Sequence, residues 1–278
     1  MQGFAIEHDK PFFYKKDFTI PADYAGKRLI LRFDGVYSHA RLSVNGKFVR
    51  EHHGGFTRWE TDITSFVRIG KKNEIQLAVV DRLDEISYAS GYAHHPIGGI
   101  LRDVTLFALP ESHLYDIGVE THLDSLYQDA DLRFFCKFSG QESTEMELRL
   151  NIHPTLGRTT TLELDSLDAV LFKQANMNFV RTSHYPPTER FLEFCDRYGI
   201  YVESETAVCF VDTYRQKNYK PGRSQNDPAF AERYLGQCRE MVKSLRSHPS
   251  ILFWSIGNES AYGSNFQLCW DWIKATDT

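Results

Sequence analysis

Three short segments of the sequence each close an apolar, strand-like run with groups able to do chemistry. They are Arg181-Thr182-Ser183-His184, Glu203-Ser204-Glu205 and Asn258-Glu259. A guanidinium, an imidazole, an amide and two carboxyl groups suit several reactions if the fold brings them together. Cleavage of a glycosidic bond needs one carboxylic acid to protonate the leaving oxygen and a second carboxylate to attack the sugar or activate water. Glu259 follows a mostly apolar run, where partial desolvation would raise its pKa as a general acid requires. Asn258 supplies an amide able to grip a hydroxyl. Each group also has a structural reading. Glu259 could pair with a neighbouring helix, Arg181 could hold an ion pair, and His184 could pack behind a site. Glu205 could hydrogen-bond within the rim and never touch substrate. Spacing alone leaves both sets of readings open.

The elements that must position these groups begin near Ser166, where helical and strand-like stretches start to alternate. Leu167, Val170 and Leu171 have helical spacing, and Phe179-Val180 opens a strand running to His184-Tyr185. Thr188 is placed to cap a helix bearing Phe191, Leu192, Cys195 and Tyr198, with Gly199 just past its end. Ile200 to Glu205 is the next strand. Asp227-Pro228 pairs an N-cap with an N1 proline, opening a helix whose apolar face holds Phe230, Tyr234, Cys238, Met241, Val242 and Leu245. The run Ile251-Leu-Phe-Trp-Ser-Ile256 has no alternation, which predicts a strand buried on both sides. Phe266, Trp270 and Ile273 mark a last helix. Successive βα units keep their strands parallel, so His184, Glu205 and Glu259 are expected at one rim, the carboxyl-terminal ends of neighbouring strands.

The preceding residues read as all-β. Leu29, Leu31 and Phe33 alternate with other residues, as do Leu42 and Val44, and Ile75, Leu77 and Val79, a pattern of strands with one buried face. Asn45-Gly46 signals a two-residue hairpin, and Gly54-Gly55 and Gly98-Gly99 mark further turns. Residues 1–111 therefore predict a β-sandwich. Ile117, Val119, Leu132, Phe134, Leu148 and Leu150 continue in β style over 112–165, too short a stretch for a full sandwich.

Composition narrows the function. The chain has 278 residues and a net charge of −5, which disfavours a nucleic-acid partner because phosphate binding wants a basic face. No run has the length of a membrane helix. Met1 to Lys10 lack a signal-peptide apolar core, and the location stays open between cytoplasm and periplasm. The five cysteines, Cys136, Cys195, Cys209, Cys238 and Cys269, form no CxxC pair and read as reduced core residues. His94-His95 has no further ligand at metal spacing and reads as a loop pair. Trp254 reads as core. Tyr88, Tyr92 and Phe210 could stack on a sugar but are assigned no role.

The stretch Ser247-His-Pro-Ser-Ile-Leu-Phe-Trp-Ser-Ile-Gly-Asn-Glu-Ser260 resembles the acid/base signature of family 2 glycoside hydrolases, the β-galactosidase/β-glucuronidase family. Asn178-Phe-Val-Arg-Thr-Ser-His-Tyr-Pro186 resembles the family's second-strand motif, and Cys195-Asp-Arg-Tyr-Gly-Ile-Tyr-Val202 its third. Further matches are Phe33-Asp-Gly-Val36, Asn45-Gly46, His53-Gly-Gly55, Asp62-Ile-Thr64 and Gly98-Gly-Ile-Leu-Arg-Asp-Val104, which resemble its sugar-binding β-sandwich. The resemblance implies a multidomain β plus α/β chain. Residues 1–111 would be a jelly-roll-like β-sandwich, 112–165 an abbreviated immunoglobulin-like β-sandwich, and 166–278 strands two to four of a (β/α)8 TIM barrel. It implies a retaining exo-β-glycosidase for terminal β-galactosides or β-glucuronides. Glu259 would be the acid/base, and Asn258, His184, Arg181 and Glu205 the substrate-side residues, with Arg181 supporting the nucleophile.

Departures from the family pattern set further expectations. The family's first barrel strand is expected to be missing before Asp165, and Phe13 to Pro21 normally sits well inside the first domain. Strands five to eight, with the nucleophilic glutamate at the end of strand seven, are expected outside this chain. Some members bind magnesium just after the third strand, where Cys209 and Val211 stand here; these cannot form a hard-cation site, so no metal or other cofactor is expected. The loss of those ligands and the run Glu205-Thr-Ala-Val-Cys-Phe210 lean toward the glucuronidase branch. An open half-barrel predicts association between copies. The competing reading is a carbohydrate-binding or scaffold protein that has kept the sandwich and lost catalysis.

Overall fold

Alternating apolar residues in the first part of the chain pair into antiparallel sheets. The computed structural model describes residues 10–80, 98–126, 129–140, 167–209 and 224–277. The strands before residue 110 are β1 (Phe12–Thr19), β2 (Arg28–Phe33), β3 (Val36–Tyr37), β4 (His39–Val44), β5 (Lys47–His53), β6 (Trp59–Asp62), β7 (Lys72–Val80), β8 (Gly99–Ile100) and β9 (Val104–Leu109). One sheet has the order β1-β7-β4-β5, a second β6-β2-β9, and β3 pairs with β8. Leu29, Leu31, Phe33, Leu42, Val44, Trp59, Leu77 and Val79 form their shared core. Asn45 and Gly46 both have positive φ, 51° and 76°, and join β4 to β5 as the hairpin signal predicts.

β10 (His113–Leu123) and β11 (Ala130–Ser139) form a separate antiparallel pair. Leu148 and Leu150 lie outside the described residues, as does the segment expected to lack the first barrel strand. The hairpin is tied to the last part of the chain, where Arg246 Nη2 donates to Asp116 Oδ1 (2.6 Å) and Ser247 Oγ to the Ile117 carbonyl (3.1 Å).

The βα rhythm is then realised in order: α1 (Leu167–Gln174), β12 (Phe179–Thr182), α2 (Glu189–Tyr198), β13 (Tyr201–Glu205), α3 (Ala231–Leu245), β14 (Ile251–Ser255) and α4 (Ser264–Thr276). Thr188 caps α2 by accepting from the Phe191 N–H, and Gly199 closes it in the left-handed region. Asp227 caps a short 3-10 turn, with Pro228 as its first residue, that leads into α3. The three strands form a parallel sheet ordered β12-β13-β14. Leu192, Cys195, Val202, Cys238, Met241, Val242, Phe266, Cys269 and Ile273 form a core on one side of it, with Val180 and Trp254 packed against them.

Two expectations are corrected. β12 ends at Thr182, so His184 and Tyr185 belong to the following loop. β14 is not buried on both sides: Leu252 is 51% and Phe253 57% exposed, because β14 pairs only with β13 among the described residues. The last helix, α4, carries Phe266, Trp270 and Ile273 as the sequence predicts; Phe266, Cys269 and Ile273 form its buried side and Trp270 is half exposed. Four cysteines are buried and Cys136 is partly so; the five thiols are free, as the sequence predicts.

Candidate active site

Parallel pairing carries the polar strand ends to one rim. Register matches Arg181 to Glu203, Thr182 to Ser204 and Glu205 to Ser255, so the ends of all three strands lie side by side. β14 then continues through Gly257, which must be glycine. A Cβ there would lie 2.7 Å from the Val208 carbonyl oxygen, and the chain draws that near because the Asn258 N–H donates to the same carbonyl (2.9 Å). This bridge extends the sheet past Ser255 and delivers Asn258 beside Cys209.

Glu205 is the hub of the rim. Its side chain is fully buried, and a buried carboxylate must be hydrogen-bonded to be tolerated. Oε2 accepts from Arg181 Nε (2.9 Å), from Arg181 Nη2 and from Ser255 Oγ (2.7 Å). Oε1 faces His184 Nδ1 at 2.8 Å, so the nitrogen turned to the carboxylate carries the proton. Arg181 Nη2 also donates to Asn258 Oδ1 (2.8 Å), and Asn258 Nδ2 reaches Cys209 Sγ at 3.5 Å. Both ends of the Asn258 amide are therefore held. The Glu205 hydrogen bond, above all, keeps the Arg181 guanidinium more firmly protonated than usual. Burial, chiefly, pushes the Cys209 thiol up to about 11, and the charges of Glu205 and Glu259 add to that.

The structure thus brings together Arg181, His184, Glu205 and Asn258, and Glu259 follows Asn258 directly in the chain. It also corrects two expectations. Glu205 has no exposed surface with which to touch a sugar; its bonds make it the part that orients Arg181 and His184. Glu259 is exposed rather than partly desolvated, and its φ of 40° puts it in the left-handed region, which costs a residue with a Cβ about 1 kcal/mol. Ser255 and Cys209 complete the network and were not singled out as site residues in the sequence. Alternation with Phe253 put Ser255 on the inward face, but only the register shows that it meets Glu205. Among the described residues there is no cluster of three or more His, Cys, Asp or Glu side chains able to hold a metal. Val211, Phe210, Tyr88, Tyr92 and His94-His95 lie outside the described residues.

Two family models match this chain: glycosyl hydrolases family 2, sugar binding domain, over residues 5–110, and the TIM barrel domain of the same family over residues 149–278. A β-galactosidase of Priestia megaterium is 26% identical over 95% of this chain, which spans 35% of that protein's length. A β-galactosidase of Lactococcus lactis subsp. lactis is 40% identical over 89% of this chain and 32% of its own. The alignment with the first runs over 366 positions, longer than this whole 278-residue chain, so that relative carries stretches with no counterpart here. Among solved structures, a β-glucuronidase from Ruminococcus gnavus in complex with D-glucaro 1,5-lactone superposes with a TM-score of 0.80 at 18% identity, covering 97% of this chain and 62% of its own. The β-D-glucuronidase of Dictyoglomus thermophilum gives a TM-score of 0.73 at 21% identity, over 95% of this chain and 62% of its own. At these identities the structural likeness concerns the fold.

Proposed function

This chain belongs to glycosyl hydrolase family 2, and on that premise we propose that it carries the acid/base half of a retaining glycosidase site for terminal β-linked sugars. Glu259 is the acid/base in this reading. Its exposed carboxyl group follows β14 at the rim where Arg181, His184 and Asn258 meet. Asn258, with its amide fixed at both ends, offers a sugar hydroxyl a defined partner. His184 is oriented by Glu205 through Nδ1, which fixes the imidazole at the rim. Arg181 supplies positive charge where the nucleophilic carboxylate must be held ionised.

The observation that carries this reading is the Arg181–Glu205–His184 network reaching Asn258, the residue before Glu259, at the carboxyl-terminal ends of three parallel strands. That end of a parallel barrel is where catalytic groups gather. A retaining site also needs a second carboxyl group about 5 Å from the first. Glu205 cannot fill that role, because it is buried and engaged by Arg181, His184 and Ser255.

The test is to extend the chain with the remaining barrel of a relative and assay nitrophenyl β-galactoside and β-glucuronide. Hydrolysis with retained anomeric configuration, lost on Glu259→Ala, is the expected result. A folded extended protein that hydrolyses neither, or whose activity survives Glu259→Ala, rejects the assignment. The ratio of the two rates decides the sugar.

A further inference from the structure

We infer that the β-sandwich is a positioning element for the rim, acting through a clamp formed by Arg102 and Phe56. What the clamped groups do rests on the glycosidase reading; the clamp itself rests on geometry. Arg102 comes from the segment between β8 and β9, and Phe56 from the turn after β5. Arg102 lies within the glycine-marked stretch Gly98 to Val104, and Phe56 directly follows the other, His53 to Gly55; the site does not explain the resemblance of either to the family.

The contacts converge on two loops. The Phe56 ring stacks on Tyr185, the residue after His184, with centroids 4.2 Å apart and planes 10° from parallel. Arg102 Nη1 donates to the Phe56 carbonyl and Nη2 to the Pro186 carbonyl, each at 3.0 Å. One guanidinium therefore fastens the sandwich turn to the His184 loop. Its planar fork can hold two carbonyls at once, which a lysine cannot. Ala207, two residues past Glu205, packs into the same buried cluster with Tyr37 and Phe56. The segments that follow both His184 and Glu205 are thus held by the sandwich.

The clamp is built tightly from its own side. Tyr37 lies edge-on to Phe56 at 5.6 Å and covers Gly55, where a Cβ would fall 2.2 Å from the tyrosine ring. Arg58 extends the joint by bridging Asp34 (2.6 Å) to Glu189 at the start of α2. A loop whose carbonyl and ring are both fixed from outside the barrel loses freedom that would otherwise blur the His184–Glu205 bond. Preorganisation of this kind is what a catalytic constellation needs from its surroundings.

The test uses the 278-residue chain labelled with nitrogen-15 histidine and reads the His184 Nδ1–H resonance and its exchange with solvent. Arg102→Met and Phe56→Leu should shift that resonance and speed its exchange by about tenfold or more, whereas Phe56→Tyr, which keeps the ring, should restore it. Leu42→Ala, deep in the sandwich core, serves as the control. It should lower stability and leave the His184 signal in place while the protein is folded. An unchanged His184 signal in Arg102→Met and Phe56→Leu would overturn the inference, as would an equal change in Leu42→Ala. Because nothing here depends on turnover, a failed glycosidase assignment would show separately, in the assay of the extended protein.

Discussion

The amino-terminal sandwich and the parallel sheet that carries the candidate site bury their residues differently. In the sandwich, residues from two sheets meet in one core, and Leu29, Leu42, Val44 and Ile63 have no exposed surface. In the parallel sheet, the face carrying Val180, Val202 and Trp254 lies under the helices. The opposite face exposes Phe179, Tyr201 and Phe253 at 43%, 48% and 57%. That exposed face also bears Arg181 and Ser255, the groups that hold Glu205. The same alternation that gives a sandwich a closed core therefore gives the βα region an open one, with the polar network at its end. Under the helices the βα region keeps a buried apolar core, while on the open face order comes from the hydrogen bonds around Glu205.

Substitutions on the two sides should differ accordingly, and denaturant unfolding checks the order. Leu42→Ala, in the closed core, should cost about 3–4 kcal/mol. Glu205→Ala leaves Arg181 and His184 without their shared partner. It should cost about 2 kcal/mol, less than a wholly buried pair would, because Arg181 is partly exposed and screened. A Glu205→Ala loss equal to that of Leu42→Ala would mean that the network, not the cores, dominates stability.

The joint between the two regions has its own pH signature. Glu240 on α3 accepts from Thr57 Oγ1 at 2.5 Å and lies 3.7 Å from His52 Nδ1. Burial, the main cause in each case, raises Glu240 to about 7 and lowers His52 to about 3. At 3.7 Å, with each driven toward its neutral form, the two do not make an ion pair at neutral pH. Glu240 binds its proton more tightly when folded, so its contribution is full below 4.5 and is lost as pH rises through 7. His52 binds its proton less tightly when folded, so its contribution is full above 6.5 and is lost as pH falls through 3. Between 4.5 and 6.5 the two slopes oppose each other, giving a plateau with a decline on either side. Glu240→Gln should abolish the decline above the plateau, which is less than about 1 kcal/mol, and turn the plateau itself into a rise with pH set by His52. A curve still falling there would assign the loss to other groups.

The smallest expected effect on stability is at the open face. Phe253→Lys should change unfolding by less than about 0.5 kcal/mol, yet reduce association between copies in sedimentation, since it breaks an exposed apolar patch. Strong destabilisation by this change would mean that the face is covered in solution.

Much of this architecture was legible wherever it depends on neighbours in sequence. Asn45-Gly46, Thr188, Gly199 and Asp227-Pro228 act through local backbone geometry, and each does what its type predicts. The common rim was legible too, because parallel strands follow from βα order. What stayed hidden depends on partners far along the chain. An apolar run such as Ile251 to Ile256 predicts a strand buried on both sides only if something lies on each side. Ser255 and Cys209 gain meaning only from register, and Arg102, Phe56 and Thr57 only from docking. Glu205 shows the limit most clearly: its type left contact with sugar and a place within the rim both open, and its surroundings make it the anchor of the groups around it.

The central claim is that Glu259 donates a proton to the leaving group from this rim. The most direct measurement compares Glu259→Gln with the parent in the extended protein, using one β-glycoside with an alkyl leaving group and one with dinitrophenolate. An alkoxide needs protonation to depart and dinitrophenolate does not. The account predicts a loss of about 10²-fold or more for the alkyl glycoside and a loss of less than about tenfold for the dinitrophenyl one. Equal losses on both substrates would contradict it.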